Sequence, residues 1–127
     1  MDIRLRYRSD IVASPIELPS SKSIANRALV INALSAHPAE IGGMSVCDDT
    51  QAIVGALEQV SEHSATIVDI GAAGTAMRFL TAYFAALEGV TVTLTGSQRM
   101  CRRPIALLVD ALRQSGADIA YLGEEGF

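Results

Sequence analysis

The sequence predicts an α/β (α+β) fold, and two observations carry that prediction. From residue 65 onward, strand-like and helix-like segments alternate in the order strand, helix, strand, helix, strand, with glycine-centred turns between them. In addition, the helical segment 76–87 is apolar on nearly every side. A helix without a polar face is buried all round, so we expect helices inside the domain and sheets outside.

The first half of the chain predicts one strand and two helices. The segment "DIRLRYR" alternates apolar and basic residues with period two, which is typical of a half-buried strand. Pro19 disfavours helix in the residue before it, so a helix over 21–35 begins at Ser20 or Ser21 as its N-cap. A second helix over 48–60 has Asp48 or Asp49 as its N-cap and carries an apolar stripe.

The second half predicts the alternating units themselves. Strands are expected over 65–71 and 90–96, and a closing strand over 117–123. The helix that starts at residue 74 is expected to end at Gly89. The last helix has Pro104 near its first turn and Gly116 at its end.

Composition limits the classes of function. The chain has 127 residues, half of them hydrophobic, which suffices for one domain that buries roughly two-thirds of its unfolded surface. A net charge of −4, the lack of a basic run and the absence of Trp argue against nucleic-acid binding. No apolar run approaches the ~20 residues of a membrane span. We therefore expect a cytoplasmic protein without nucleic-acid or membrane partners, and its two cysteines form no metal or redox motif.

The segment "LPSSKSIANRAL" places two cations at a helix N-terminus. Lys22 and Arg27 lie in the first two turns, where no acid is present. Each charge opposes the helix dipole by about 0.3–1 kcal/mol, which makes sense if an anion binds there. Ser23 and Arg27 are spaced i, i+4, as are Lys22 and Asn26, so the four lie on adjoining faces. The alternative interpretation is a serine cap followed by solvated basic residues.

The segment "DIGAAGTAMR" is a glycine-rich turn that leads from a strand into a helix. The backbone N–H groups of Gly74 and Thr75 could contact a phosphate or a carboxylate, with Arg78 one turn into the helix. The segment lacks the ending of a Walker loop and the third glycine of a Rossmann fingerprint. An ordinary βα turn that binds nothing is the alternative.

The segment "TGSQRMCRRPI" places three arginines, Arg99, Arg102 and Arg103, between a strand and a helix. A solvated basic loop is again the alternative interpretation. All three segments lie where the chain enters a helix, so they could converge on one pocket. No catalytic histidine, Cys–His pair or metal-ligand set accompanies them. The residues alone therefore predict a site for one polyanionic small molecule or two anionic ones.

These motifs, with "DDTQAI" and "LVDALRQSGA", occur in an order and spacing that resembles the N-terminal part of the EPSP synthase family. The resemblance implies transfer of the enolpyruvyl group of phosphoenolpyruvate to the 5-hydroxyl of shikimate 3-phosphate, with release of phosphate and without a cofactor. By the same resemblance, Lys22 would act in catalysis between the two substrates, Ser23 and Arg27 would bind shikimate 3-phosphate, and Gly74 and Arg99 would bind phosphoenolpyruvate. The supporting residues would be Asp49, which would orient Lys22, together with Thr75 and Arg78.

The chain departs from the family pattern at several positions. Ala72 replaces an asparagine, which removes one expected contact to phosphoenolpyruvate, and Phe79 replaces a proline. Cys47 stands where a serine usually precedes two acids. The largest departure is length, because the family folds into two lobes of repeated βαβαββ units.

By resemblance, residues 1–19 belong to the other lobe, and residues 20–127 form a partial N-terminal lobe of about one and a half repeats. We therefore expect the chain alone to be inactive and to self-associate through surfaces meant for missing repeats. Two other functions stay open. One is a stand-alone, non-catalytic anion-binding domain, and the other is a related enolpyruvyl transferase with a UDP-sugar acceptor.

Overall fold

A computed structural model of the chain describes residues 2–4, 6, 15–61 and 67–127, and these form a mixed α/β structure. The elements in these ranges are α1 (Lys22–Ala33), α2 (Asp48–Ser61), β1 (Ile67–Asp69), α3 (Gly74–Ala85), β2 (Thr93–Thr95) and α4 (Ala106–Gln114). The strands pair in parallel, with Val68 opposite Leu94, and α3 connects them. No helix in the described ranges is long and apolar enough to cross a membrane.

The core lies between the first three helices and the two strands. Its buried members come from the three helices and from β1 and include Leu29, Ile53, Val68 and Leu80, and β2 adds the half-buried Leu94. Helix α1 packs on α2 and α3, α2 packs on α3, and α4 packs on α3. Every residue of α3 from Gly74 to Ala85 is buried or half-buried, so the helix has no exposed face, as its apolar sequence predicts.

The predicted starts of α1 and α2 are confirmed. Ser21 is the N-cap of α1, and its hydroxyl accepts a hydrogen bond from the N–H of Ile24 at 3.4 Å. Helix α2 begins at Asp48, but both aspartates lie within its first turn rather than at the N-cap position before it, where one of them was predicted. Carboxylates in a first turn stabilise a helix.

The later elements are shorter than predicted. Helix α3 ends at Ala85 rather than near Gly89, because the N–H groups of Ala86 and Leu87 bond to carbonyls three residues back and tighten the chain. Strand β2 covers Thr93–Thr95, the residues that lie opposite β1. Helix α4 begins only at Ala106, because the backbone of Ile105 is not helical (φ −133°), and Pro104 therefore lies before the helix rather than in its first turn.

The predicted closing strand over 117–123 is wrong. These residues form no strand, because the carbonyl of Ile119, which a strand would offer to a neighbour, accepts two hydrogen bonds from the Arg113 guanidinium at 2.9 and 2.7 Å. The same guanidinium lies 5.2 Å from the ring centroid of Tyr121. Of the predicted first strand, residues 2–4 and 6 are exposed and irregular, and the remainder lies outside the described residues.

Candidate functional site

Lys22 and Asp49 join the amino ends of three helices. The Lys22 Nζ atom, at the start of α1, lies 3.0 Å from Asp49 Oδ2 in the first turn of α2. The other carboxylate oxygen, Oδ1, accepts a hydrogen bond from the backbone N–H of Thr75 in the first turn of α3 at 3.2 Å. One carboxylate therefore ties a cation and a helix N-terminus together at a single place.

The environment of Asp49 favours its charged form. Partial burial raises the pKa of the carboxyl, but the hydrogen bond and charge of Lys22 and the bonds from Thr75 outweigh it and leave the pKa lowered. The Lys22 side chain stays 46% exposed while that of Asp49 is 15% exposed. The ammonium group has three N–H donors, so after the bond to Asp49 it can still donate to a ligand from the solvent side.

This pair explains part of the unusual charge at the start of α1. The sequence suggests that cations there require an anion, and Asp49 is an anion supplied by the chain itself. The dipole penalty on Lys22 is thereby offset within the fold. The argument for an external anion consequently depends on the other basic side chains around the same place.

We expect the Asp49–Lys22 pair to make the free energy of unfolding decrease as the pH falls. A carboxyl with a lowered pKa in the folded state contributes stability that is complete above its unfolded pKa, about 3.9, and is lost as the pH falls through the folded value. The Asp49→Asn variant should therefore be less stable than the wild type at pH 7, and this difference should shrink in acid. Urea unfolding of the 127-residue chain between about pH 7 and pH 2.5 measures it.

Asp48 supplies a matched control, because it is an exposed acid in the same helical turn. The Asp48→Asn variant should lose stability in acid as the wild type does, whereas the Asp49→Asn variant should lose less. Parallel stability curves for the wild type and Asp49→Asn over the whole pH range would contradict the expected role of this pair.

Arg27 lies one turn into α1 on the exposed surface. Its Nη1 atom donates to the carbonyl of Ser23 at 2.9 Å, and its Cζ atom lies 5.8 Å from the ring centroid of Phe79 in α3. The contact with the aromatic ring holds the guanidinium near α3. Ser23 is exposed beside it. Because the guanidinium has five donors, most of its hydrogen-bonding capacity is open to a ligand.

The loops that follow β1 and β2 lie together at one edge of the sheet, because parallel strands end on the same side. The N–H of Ser97 donates to the carbonyl of Gly71 at 2.8 Å and joins the two loops. Between them lies a cleft of about 270 Å³. Its lining residues are Ala72, Ser97, Arg99, Met100 and Arg103.

Arg103 covers the first residue of α3. A Cβ atom placed on Gly74 would overlap Arg103 Nη1 and lie 2.8 Å from its Cζ. The glycine therefore lets a guanidinium approach the N-terminus of α3 closely. This contact and the Asp49–Thr75 hydrogen bond connect the cleft to the Lys22 end of the site.

Arg78 faces the backbone and not an anion. It is half-buried, and its two terminal nitrogens donate to the carbonyls of Gly74 at 3.2 Å and Pro104 at 2.9 Å. These bonds satisfy the guanidinium and fix the start of α3 to the segment before α4. The position suits a supporting residue better than a ligand-binding one.

Sequence reasoning missed a polar contact in the core beside Lys22. Asn26 is 0% exposed and Thr50 is 2% exposed, and the Thr50 hydroxyl donates to Asn26 Oδ1 at 2.8 Å. The hydroxyl also lies 3.2 Å from Cys47 Sγ, and hydrogen bonds from the side chain and backbone of Thr50 lower the pKa of that thiol. The available signal was an asparagine within the apolar side of α1.

The fold and the site together define an α/β protein whose basic side chains gather around the amino ends of helices. A family model described as EPSP synthase (3-phosphoshikimate 1-carboxyvinyltransferase) matches residues 7–65 and 54–127. The chain belongs to the EPSP synthase family.

Curated relatives agree with this family. A protein of Bacteroides fragilis (strain YCH46) named 3-phosphoshikimate 1-carboxyvinyltransferase is 51% identical over 116 residues, which are 91% of this chain and 27% of the relative. A protein of the same name from Bordetella pertussis (strain Tohama I / ATCC BAA-589 / NCTC 13251) is 41% identical over 131 residues, covering 88% of this chain and 29% of the relative.

A pentafunctional AROM polypeptide of Schizosaccharomyces japonicus (strain yFS275 / FY16936) is 39% identical over 143 residues, covering 93% of this chain and 9% of that polypeptide. The chain thus spans 27% of the length of the Bacteroides relative and 29% of the Bordetella relative.

Proposed function

We propose that the complete protein containing this chain transfers the enolpyruvyl group of phosphoenolpyruvate to the 5-hydroxyl of shikimate 3-phosphate and releases phosphate. The observation that carries this proposal is the Lys22–Asp49–Thr75 connection, which gathers the amino ends of α1, α2 and α3 around one exposed ammonium group. Both substrates are anions, and helix N-termini with adjacent cations bind anions. The names of the matched relatives support the choice of reaction and acceptor.

Lys22 is the catalytic residue in this proposal. Its ammonium group would lie between the two substrates, assist proton transfer and stabilise the charge that develops during addition and elimination. Asp49 would orient it, since the 3.0 Å contact fixes the Nζ atom while the side chain stays accessible. Ser23 and Arg27, on the same exposed part of α1, would bind shikimate 3-phosphate.

Phosphoenolpyruvate would bind at the start of α3 and in the adjoining cleft. Gly74 and Thr75 present the N-terminus of the helix there, and Arg99 lines the cleft. Arg103 adds a second guanidinium over Gly74. Because Ala72 also lines the cleft, the amide group of the family's usual asparagine is missing from this binding surface.

A Gly74→Ala substitution should separate binding from stability. The added methyl group overlaps the tip of a flexible arginine, so stability should change by no more than about 1 kcal/mol. Displacing Arg103 should weaken phosphoenolpyruvate binding by roughly tenfold or more. Titration of the complete protein and urea unfolding give the two quantities.

Gly55 provides the control for this substitution, because a Cβ atom placed on it would meet nothing within 4 Å. The Gly55→Ala variant should bind phosphoenolpyruvate like the wild type. Equal affinities for Gly74→Ala and Gly55→Ala would exclude Gly74 from the binding surface.

The proposed architecture is a pair of lobes built from βαβαββ units. Residues 20–127 would form about one and a half units of the N-terminal lobe, and residues 1–19 would belong to the other lobe. Two features support this division: α3 has no exposed face, and α1 exposes Ile24 and Ile31 on a side that further units could cover.

The 127-residue chain alone should self-associate through such apolar surfaces. Ile24 is 70% exposed and Ile31 is 68% exposed, and the two lie seven positions apart on the same side of α1. Sedimentation velocity of the chain at several concentrations measures its association. A single monomeric species at all concentrations would contradict this expectation.

Phosphate release tests the proposed reaction. The complete protein, supplied with both substrates, should release phosphate at enzymatic rates, whereas the 127-residue chain should not, because it supplies only part of the site. Binding of both anions by the complete protein without turnover would favour a non-catalytic anion-binding function. Turnover with a UDP-sugar and not with shikimate 3-phosphate would assign the other acceptor.

A further inference from the structure

The contact between Asn26 and Thr50 is costly for a purely structural feature. Both side chains are almost completely buried in the contact between α1 and α2, and their single hydrogen bond leaves Asn26 Nδ2 without a partner among the described residues. A buried donor that loses water and gains no partner is unfavourable. An apolar side chain of similar shape would avoid this cost, so stability does not explain the asparagine.

Buried polar pairs can instead select one alignment of two helices. Apolar side chains tolerate small shifts along a helix contact, whereas a hydrogen bond between buried groups forms in one register only. The neighbouring core residues Ala25, Leu29 and Ile53 carry no such directional group. The Asn26–Thr50 hydrogen bond is therefore the directional contact in this part of the core.

This contact lies directly beside the catalytic pair. Asn26 follows Lys22 by one helical turn, and Thr50 follows Asp49 in sequence. The two cross-connections between α1 and α2 are 2.8 Å and 3.0 Å long. A shift of one residue along either helix moves the groups by about 1.5 Å, which is enough to break both contacts.

We infer that Asn26 and Thr50 are positioning residues that hold Lys22 against Asp49 by fixing the register of α1 on α2. The exposed, long lysine side chain cannot fix its own position, whereas the buried pair has little freedom. The catalytic consequence rests on the proposed function of Lys22. The geometric consequence, the Lys22–Asp49 contact, does not.

Two variants remove the buried contact with little change of shape, Thr50→Val and Asn26→Leu. In the 127-residue chain, carbon NMR of the Asp49 carboxyl across a pH titration reports whether Lys22 is still held nearby. Asp49 faces Lys22 and the Thr75 N–H, and exposed Asp48 precedes it on the same helix. Both variants should move the pKa of Asp49 part of the way back toward its ordinary value.

Two further variants separate the positioning of Lys22 from a general loss of packing in the core. Thr50→Ser keeps the hydroxyl and should restore the wild-type titration of Asp49. Thr81→Val removes a half-buried hydroxyl of α3 that bonds within its own helix, to the Met77 carbonyl at 2.7 Å, and should leave the titration unchanged. In the complete protein, Thr50→Val should reduce kcat on the order of a hundredfold with a smaller effect on either KM.

The inference is overturned if folded Thr50→Val retains the wild-type titration of Asp49, or if Thr50→Ser fails to restore it. If Asn26→Leu does not fold, Thr50→Val decides alone. If the wild-type complete protein has no transferase activity, the proposed function fails, but the titration of Asp49 still decides whether the buried pair positions Lys22. An altered titration with unchanged kcat would refute the catalytic part.

Discussion

Replacement of Lys22 by methionine should lower turnover of the complete protein by about a thousandfold or more. The methionine preserves much of the apolar stem but removes the ammonium group that would stabilise developing charge between the substrates. It also takes from Asp49 the hydrogen bond and the charge of Lys22, while the bonds from Thr75 stay, so the pKa of Asp49 should rise. Steady-state kinetics and NMR titration measure the two effects independently.

Arg102→Met is the matched control, because Arg102 is exposed and does not line the cleft. It should leave kcat near the wild-type value.

Lys22 is the only lysine in the 127 residues, so in the 127-residue chain an amine-directed reagent reports on it almost selectively. In the complete protein, shikimate 3-phosphate with phosphoenolpyruvate should protect the peptide that contains Lys22 from labelling, as peptide mapping would measure. Near-normal turnover in Lys22→Met would remove this residue from the catalytic role.

Replacement of Arg27 by alanine should weaken binding of shikimate 3-phosphate by about 2–5 kcal/mol. This range corresponds to roughly 30-fold to several thousandfold in affinity. The reason is that Arg27 offers a planar set of donors, which the Phe79 ring and the Ser23 carbonyl hold in place on the surface of α1. Isothermal titration of the complete protein with shikimate 3-phosphate measures the loss.

The Arg27→Lys variant separates charge from geometry. It keeps the cation but loses the bidentate fork, so its affinity should fall between those of the wild type and Arg27→Ala. Affinity for phosphoenolpyruvate alone should change much less in both variants. An Arg27→Ala protein that binds shikimate 3-phosphate normally would show that this guanidinium does not contact the substrate.

The sequence was most informative where structure depends on neighbours along the chain. Ser21 caps α1 as predicted, because capping involves residues three or four positions apart, and α2 begins at Asp48, one of the two aspartates expected at its start. The closing strand failed for the opposite reason. A strand requires a partner elsewhere in the chain, and at Ile119 an arginine side chain takes the carbonyl that such a partner would use.

The same distinction applies to the candidate site. The basic residues at helix starts were visible in the sequence, and the Lys22–Asp49 pair was suggested by the family resemblance. The Asn26–Thr50 hydrogen bond and the approach of Arg103 to Gly74 were not predicted, because they join residues 24 and 29 positions apart. Only the packing of α1 on α2 and of the loops on α3 brings them together.

The carboxylate of Asp49 has a consequence for ligand selection if the proposed function holds. An unoccupied site with only cations would attract any abundant anion, including chloride. Because Asp49 already neutralises Lys22 and occupies the Thr75 N–H, an incoming ligand must compete with a charge that is permanently tethered at 3.0 Å. We expect a monovalent ion to gain less in this competition than a phosphate ester, which brings two charges and several acceptor oxygens. The Asp49 carboxylate would thus favour binding of multiply charged anions over binding of simple monovalent salts.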